Sequence, residues 1–280
     1  MPSFDTPKPI TATIAFDIGT LRVVAGDRAD TVVDVRPSSE TRDLDVKAAE
    51  RTRVEFANGK LVVKGPKDRS PFSRHHPSVE VEIALPAGSE VHATSAAVHF
   101  TAEGRLGDCE FKTSAGDVQV ERAASVKLTT GYGEVTVGRA NGGAEVRTGT
   151  GEVRLGEVTG SVGVKNSNGA THLGDIEGDI TVKAANGAVS VDRAAADVGI
   201  KTATGTISIG ELVRGTAVVE TAAGSIDIGI REGTATWLDV HTRFGSVKQA
   251  LESSDVPGEP TDTLKVRART GMGDIVIHRS

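Results

Sequence analysis

Four cations recur at a constant interval in the second half of the chain: Arg147, Lys165, Lys183 and Lys201, each eighteen residues from the next. Lys112 and Arg269 occupy the equivalent place further out. Side by side on adjacent strands about 4.8 Å apart, such charges repel, so the row calls for a reason. It would form a basic strip, flanked by the mostly small column Glu145, Gly163, Thr181 and Gly199, able to take a polyanion or an acidic partner. The plainer reading is a solvated Lys/Arg face that keeps a flat sheet from associating. A second column is acidic: Asp117, Glu134 and Glu152, with Arg154 beside it. Clustered carboxylates can hold Ca²⁺, and on some β-helices such groups support polysaccharide cleavage. Here the column continues as Ala170, Ala188, Thr206 and Ser225, which favours ordinary exposed carboxylates. His75-His76 sits in a polar stretch without companion ligands; His172 and His241 read as single outward residues, and Cys109 as a small core residue. No Ser/His/Asp arrangement, phosphate loop or zinc spacing is legible. The sequence thus assigns no catalytic residue, metal or cofactor.

The elements that would carry these columns follow from an internal repeat. Glycine recurs at Gly116, Gly133, Gly151, Gly169, Gly187, Gly205, Gly224, Gly245 and Gly273, at intervals of 17, 18, 18, 18, 18, 19, 21 and 28 residues. Two and four places after the anchor stand apolar pairs such as Val135/Val137, Val153/Leu155, Val189/Val191 and Ile207/Ile209. Seven and five places before it stand Ala144/Val146, Val162/Val164, Ile180/Val182 and Val198/Ile200. Three places before it Thr113, Thr130, Thr148, Thr202, Thr221, Thr242 and Thr270 recur, with Asn166 and Ala184 in the other two copies. Alternation with period two in each half marks two short strands with one buried face. A lone unit cannot bury that face, whereas units stacked in register can.

The expected fold is therefore an all-β parallel solenoid of about nine coils, with about 18 residues and two main strands per coil. Right-handed crossing is the default for parallel strands. A left-handed hexapeptide helix would need an apolar residue every sixth place, where Ala170, Ala188, Thr206 and Ser225 stand instead. Asn168 and Asn186 share a turn position and could form a short amide ladder.

Residues 1–90 lack the repeat and read as a β-rich N-terminal cap, with a hairpin at Asn58-Gly59 and loops over Pro37–Glu50 and Gly65–Pro77. Residues 91–280 carry the solenoid, with an insertion over 249–263. Glycine is high at 33 residues and aromatics are 3%, which suits thin regular stacks. A net charge of −6 and the lack of a basic tail give no specific nucleic-acid signal. The single cysteine excludes an internal disulfide framework. The N-terminus shows no secretory pattern and no window is apolar enough for a membrane helix, so the cytoplasm is the expected compartment, with envelope association only through partners.

The pattern -V-x-[VIL]-[KR]-T-x-x-G-x-[VI]-x-[VIL]-, following a strand that ends in Leu85-Pro-Ala-Gly88, with the closing Thr270-Gly-Met-Gly-Asp-Ile-Val-Ile277, resembles the bacterial putative-adhesin β-strand-repeat family, also called the toastrack domain (domain of unknown function 4097). The resemblance covers roughly residues 10–280 and implies a non-enzymatic, adhesin-like or scaffold role with no catalytic residues to transfer. The leading expectation is thus a binding or scaffold protein presenting flat sheets to a protein, envelope or polyanionic partner through Arg147, Lys165, Lys183 and Lys201. The competing one is a carbohydrate-active β-helix enzyme using Asp117, Glu134, Glu152 and Arg154 on an acidic polysaccharide. Self-association through coil ends is a third.

Overall fold

Glycine, threonine and the apolar ladders act together at one corner of each coil. The computed structural model describes residues 1–66, 76–250 and 263–280. Gly187 adopts φ +138°, a conformation that side chains disfavour, and a Cβ there would stand 2.1 Å from the carbonyl oxygen of Gly169 in the adjacent coil. That carbonyl geometry repeats from coil to coil, and in several coils the residue three places before the anchor donates to the carbonyl. Thr221 Oγ1 donates to Gly205 O (3.2 Å), Thr270 Oγ1 to Gly224 O (2.9 Å) and Asn166 Nδ2 to Gly151 O (3.1 Å). Threonine is β-branched and suits a strand, while its hydroxyl answers a buried carbonyl that would otherwise cost free energy.

The chain forms two compact units, Met1–Ala140 and Asn141–Ser280. In the second unit the described residues make two parallel sheets. One runs Ala144–Thr150, Val162–Asn168, Ile180–Asn186, Val198–Thr204, Gly215–Ala223, Thr263–Met272 and Ala235–Phe244 in spatial order. The other runs Val153–Val158, Thr171–Ile176, Val189–Ala194, Ile207–Leu212, Ile226–Ile230, Ile275–Arg279 and Val247–Ala250. Val146, Val164, Val182, Ile200 and Val219 face one another in register and are all buried. Each fully buried Val or Ile contributes roughly 1.5–3 kcal/mol, so the ladder is the main source of cohesion. The expected solenoid is thus present. Asn186 Nδ2 donates to Asn168 Oδ1 at 3.0 Å, completing the amide ladder.

The stacking order leaves the chain order at the C-terminal end. Thr263–Met272 and Ile275–Arg279 insert between the coil of Gly224 and the coil of Gly245. The apolar content of the inward positions explains the exchange. Leu264, Val266, Ala268, Ile275 and Ile277 are buried on both sides. The coil left outermost carries Gln249 in register with Ile277, in a column where the neighbouring coils hold Val, Ile or Leu. Covering it on both sides would bury an amide at a cost. Residues 251–262 of the expected insertion lie outside the described residues.

In the first unit one sheet runs Ser3–Asp5, Asp30–Pro37, Val79–Pro86, Ile18–Gly26, Ala97–Arg105, Val118–Ala123 and Val135–Ala140. The other runs Arg53–Ala57, Lys60–Lys64, Thr11–Ala15, Glu90–Thr94, Asp108–Lys112 and Ser125–Tyr132. Thr11–Ala15 and Ile18–Gly26 pair in parallel with Glu90–Thr94 and Ala97–Arg105. The outermost strands turn antiparallel: Ser3–Asp5 on Asp30–Pro37, and the Arg53–Ala57/Lys60–Lys64 hairpin, whose Asn58 and Gly59 take φ 51° and 73°. Phe4 and Phe56 meet at a centroid distance of 5.2 Å.

Part of the expected loop over Pro37–Glu50 is instead a helix, Asp43–Arg51, packed against Asp30–Pro37. Its sequence lacks apolar periodicity because it buries little more than Asp45 and Ala48. Ser78 N donates to Asp45 Oδ1 (3.0 Å), fixing the helix at the start of Val79–Pro86.

Two measurements test this account. Gly187→Ala should destabilise by at least the 1–3 kcal/mol or so of a strained backbone and Ile200→Ala by about 2–5 kcal/mol in denaturant unfolding, whereas Gly163→Ala, with nothing within 4 Å of its would-be Cβ, should be nearly neutral. In the intercalated coil, His278 donates to the Arg279 carbonyl (2.8 Å) and to Asp227 Oδ1 (3.1 Å), which raises its pKa above the ordinary 6.5. A raised folded pKa means the protonated imidazole stabilises below the unfolded value, and this contribution is lost as pH rises through the folded one. Thermal unfolding should therefore show a loss of stability across that window, reduced in Asp227→Asn; a pH profile identical in the two proteins would refute the assignment.

Candidate functional site

The basic column lies on the outer face of one sheet of the second unit, positioned by the ladder beneath it. Arg147, Lys165, Lys183 and Lys201 are directly opposed on successive strands, followed by Glu220, Arg269 and His241. Lys112, opposed to Thr94 and Thr129, belongs to the first unit and is described with it. Like charges also face one another at Arg105, Arg122 and Arg139 in the first unit, but several other adjacent strands set opposite charges against each other. Arg193 lies between Asp175 (2.8 Å) and Glu211 (3.4 Å), Arg22 between Glu82 (2.9 Å) and Glu103 (3.0 Å), and Lys127 beside Glu110 (2.7 Å). Such pairs stabilise a sheet modestly. They also hold Glu103 and Glu110 below, and Arg193 above, their usual pKa, chiefly through the side-chain hydrogen bonds to Arg22, Lys127 and Asp175 respectively.

The four-cation row carries the like-charge arrangement over four successive strands. Its ends are answered, Arg147 by Glu145 on its own strand and Lys201 by Glu220 at 3.1 Å. Among the described residues no carboxylate lies within ion-pair distance of Lys165 or Lys183. Two places along, the outward column is Gly149, Ser167, Ala185, Ala203, Ala222 and Gly271, so the cations flank a floor of small residues. Where the row meets the outermost strands this becomes a groove of about 660 Å³ lined by Lys183, Lys201, Ala203, Ala222, Arg269 and Arg243 among others. Its chemistry is a rail of ammonium and guanidinium donors over a flat apolar bed, with Glu220 as the opposing charge.

The acidic column does not converge. Glu134 N donates to Asp117 Oδ1 (2.9 Å) and Asp117 lies 3.4 Å from His99, so Asp117 acts as a turn cap for the next coil. Asp274 does the same for Ser246 N (2.8 Å), and this backbone donor is the chief cause of its lowered pKa. Glu152, in the second unit, is engaged by Arg154 (2.7 Å) and His172 (3.0 Å). Contrary to the reading of His172 as solitary, it also meets Ser190 Oγ at 2.5 Å, giving a Ser190–His172–Glu152 line across three strands. The repeat signals this contact, since Ser190 stands eighteen residues after His172. The line lies half exposed on a flat sheet face whose strands spend their backbone N–H groups on the ladder, leaving no donors aimed at a developing oxyanion. Arg154 and Glu152 neutralise each other, which leaves the proposed polysaccharide constellation without a free pair of acids.

Cys109 is buried in register with Val91 and Val126, and burial pushes its thiol up to about 12, so it is protonated and inert at neutral pH. His75 lies outside the described residues, and among those described no cluster of three metal-ligating side chains occurs. No described helix is long and apolar enough to cross a membrane.

No curated protein matches the chain. Among solved structures it is similar to a "putative lipid binding protein" from Parabacteroides distasonis at 10% identity, covering 98% of this chain and 95% of that one with a TM-score of 0.41. It is similar to a "putative adhesin" from Parabacteroides merdae at 15% identity, covering 81% and 94% with a TM-score of 0.32. A "putative cell adhesion protein" from Clostridium sporogenes matches at 11% identity over 100% and 98%, with a TM-score of 0.26. The sequence model of one family, described as Toastrack DUF4097, matches residues 19–278. That span takes in nearly all the stacked strands described above, and the chain belongs to the Toastrack family.

Proposed function

We propose that this protein is a non-enzymatic binding scaffold whose stacked sheets hold Arg147, Lys165, Lys183 and Lys201 as a rigid basic strip for a polyanionic partner. The observation that carries this reading is the pair Lys165 and Lys183, directly opposed on adjacent strands at the centre of a four-cation row and without carboxylate partners among the described residues. Strands about 4.8 Å apart present the ammonium groups at a spacing that one linear chain of phosphates, sulfates or carboxylates can track. The small-residue bed lets such a chain lie close. Because the strip is built on strands, little ordering is required on binding, which favours affinity. The scaffold reading also fits the engaged state of Glu152, which Arg154 and His172 both hold. A cytoplasmic or envelope-facing setting is compatible with the same chemistry.

Retention on immobilised dextran sulfate tests it. The wild-type chain should bind and be released by rising salt, with an affinity that falls steeply as ions screen the contact. Lys165→Glu/Lys183→Glu should lose retention at least tenfold while keeping its unfolding transition. Lys60→Glu/Lys64→Glu, with the same change in net charge at exposed positions of the other unit, should not. Equal retention by all three proteins would remove the strip from consideration.

A further inference from the structure

The two outer ends of the strand stacks are finished differently. In the first unit the outermost strands are short or antiparallel and Phe4 covers Phe56. In the second unit the outermost described strand, Ala235–Phe244, is ten residues long and among the described residues pairs only with Thr263–Met272. Its core-facing side chains are known from their partners: Leu238 opposes buried Val266 and Val240 opposes buried Ala268. Both remain partly exposed, and Trp237 and Phe244 are 55% and 67% exposed. A long edge whose backbone donors and acceptors pair with no other described strand, with partly exposed apolar side chains, is a template for another strand.

We infer that Ala235–Phe244 pairs antiparallel with the same strand of a second copy, about a two-fold axis at Val240. The first unit's outer strands make a poor alternative partner, since Arg53–Ala57 places Arg53 and Glu55 along its edge and Ser3–Asp5 is three residues long. Self-pairing is then the two-fold solution, and side-chain chemistry selects its register. Directly opposed residues share a face, so core-facing positions match only in registers centred on a residue. Centring on Asp239 would oppose two carboxylates. Centring on His241 leaves Ala235–Trp237 beyond the pairing. Centring on Val240 engages Thr236 through Phe244 entirely, sets Asp239, already held by Arg267 (2.9 Å), beside His241 as a hydrogen-bonding partner and Trp237 against Arg243 (a cation over an indole), and places Val240 on Val240. The four-residue strand Val247–Ala250 on the other sheet, with Gln249, stays in contact with water. The inference is independent of what the basic strip binds. It has a consequence for that strip, because pairing within one sheet keeps outward side chains on one face, and two copies would present their cations to a single ligand with the gain of bivalency.

Sedimentation equilibrium of the full chain tests it, together with a cross-link. The mass should rise with concentration from 29.0 kDa to twice that value and no further. Leu238→Lys, which sets a charge on the core-facing side that the seam would cover, should stay at the lower mass while retaining a cooperative unfolding transition. Val240→Cys should give a dimer on mild oxidation that reductant reverses, while Lys60→Cys should not, and native Cys109 is too buried to contribute. A single monomeric species throughout the micromolar range with no Val240→Cys cross-link would overturn the proposal, as would an open series of higher masses. Association that survives Leu238→Lys would equally overturn it.

Discussion

The close approach of one anchor glycine to the carbonyl of the glycine beneath it is the constraint on which the stack depends. At Gly187 a side chain would stand 2.1 Å from that oxygen, and φ is +138°. The contact permits one register only. A strand that slipped by two residues would keep its apolar face inward, yet would bring a residue with a Cβ against the neighbouring carbonyl. At the Gly169, Gly224 and Gly273 corners a side-chain donor, Asn166, Thr221 or Thr270, also bonds the equivalent carbonyl. Hydrophobic ladders supply most of the cohesion, and the corner decides which valine meets which.

Register fixed in this way converts sequence spacing into surface geometry, which is why so much was legible beforehand. The solenoid, the buried ladders and the amide pair follow directly from residues eighteen apart. What escaped reading has physical causes. The helix Asp43–Arg51 has no apolar stripe because it rests on the sheet through Ala48 and a buried carboxylate rather than through a hydrophobic face. The exchange of the last two coils was hidden because every coil presents the same corner and accepts any other as neighbour. The choice falls to the inward side chains, and Gln249 among valines and isoleucines was its one visible sign.

The candidate site was legible as a column and not as an environment. That Arg147, Lys165, Lys183 and Lys201 align is a matter of spacing. That Glu220, and not another lysine, follows Lys201 in space is also in the spacing, whereas Arg269 next to it depends on the coil exchange. The acidic column, read as ordinary exposed carboxylates, was likewise legible by position and not by partner. Its members divide by local turn chemistry, Asp117 accepting a backbone N–H and Glu152 facing Arg154 and His172, and one repeat position does not reveal which.

Two opposed ammonium groups repel by only about 1 kcal/mol in water at 4–5 Å separation, and physiological salt weakens this further. The strain and steric overlap that would follow a slip at the glycine corner are larger. In an ordinary sheet a strand bearing like charges can shift by two residues to relieve them; in this stack it cannot. The corner therefore holds Lys165 over Lys183 whatever their mutual repulsion, and the same rigidity that forces the cations together makes them a preorganised surface. A ligand whose negative charges repeat at the strand spacing relieves a repulsion the fold itself has no means to relieve, and this relief adds to each direct contact it makes.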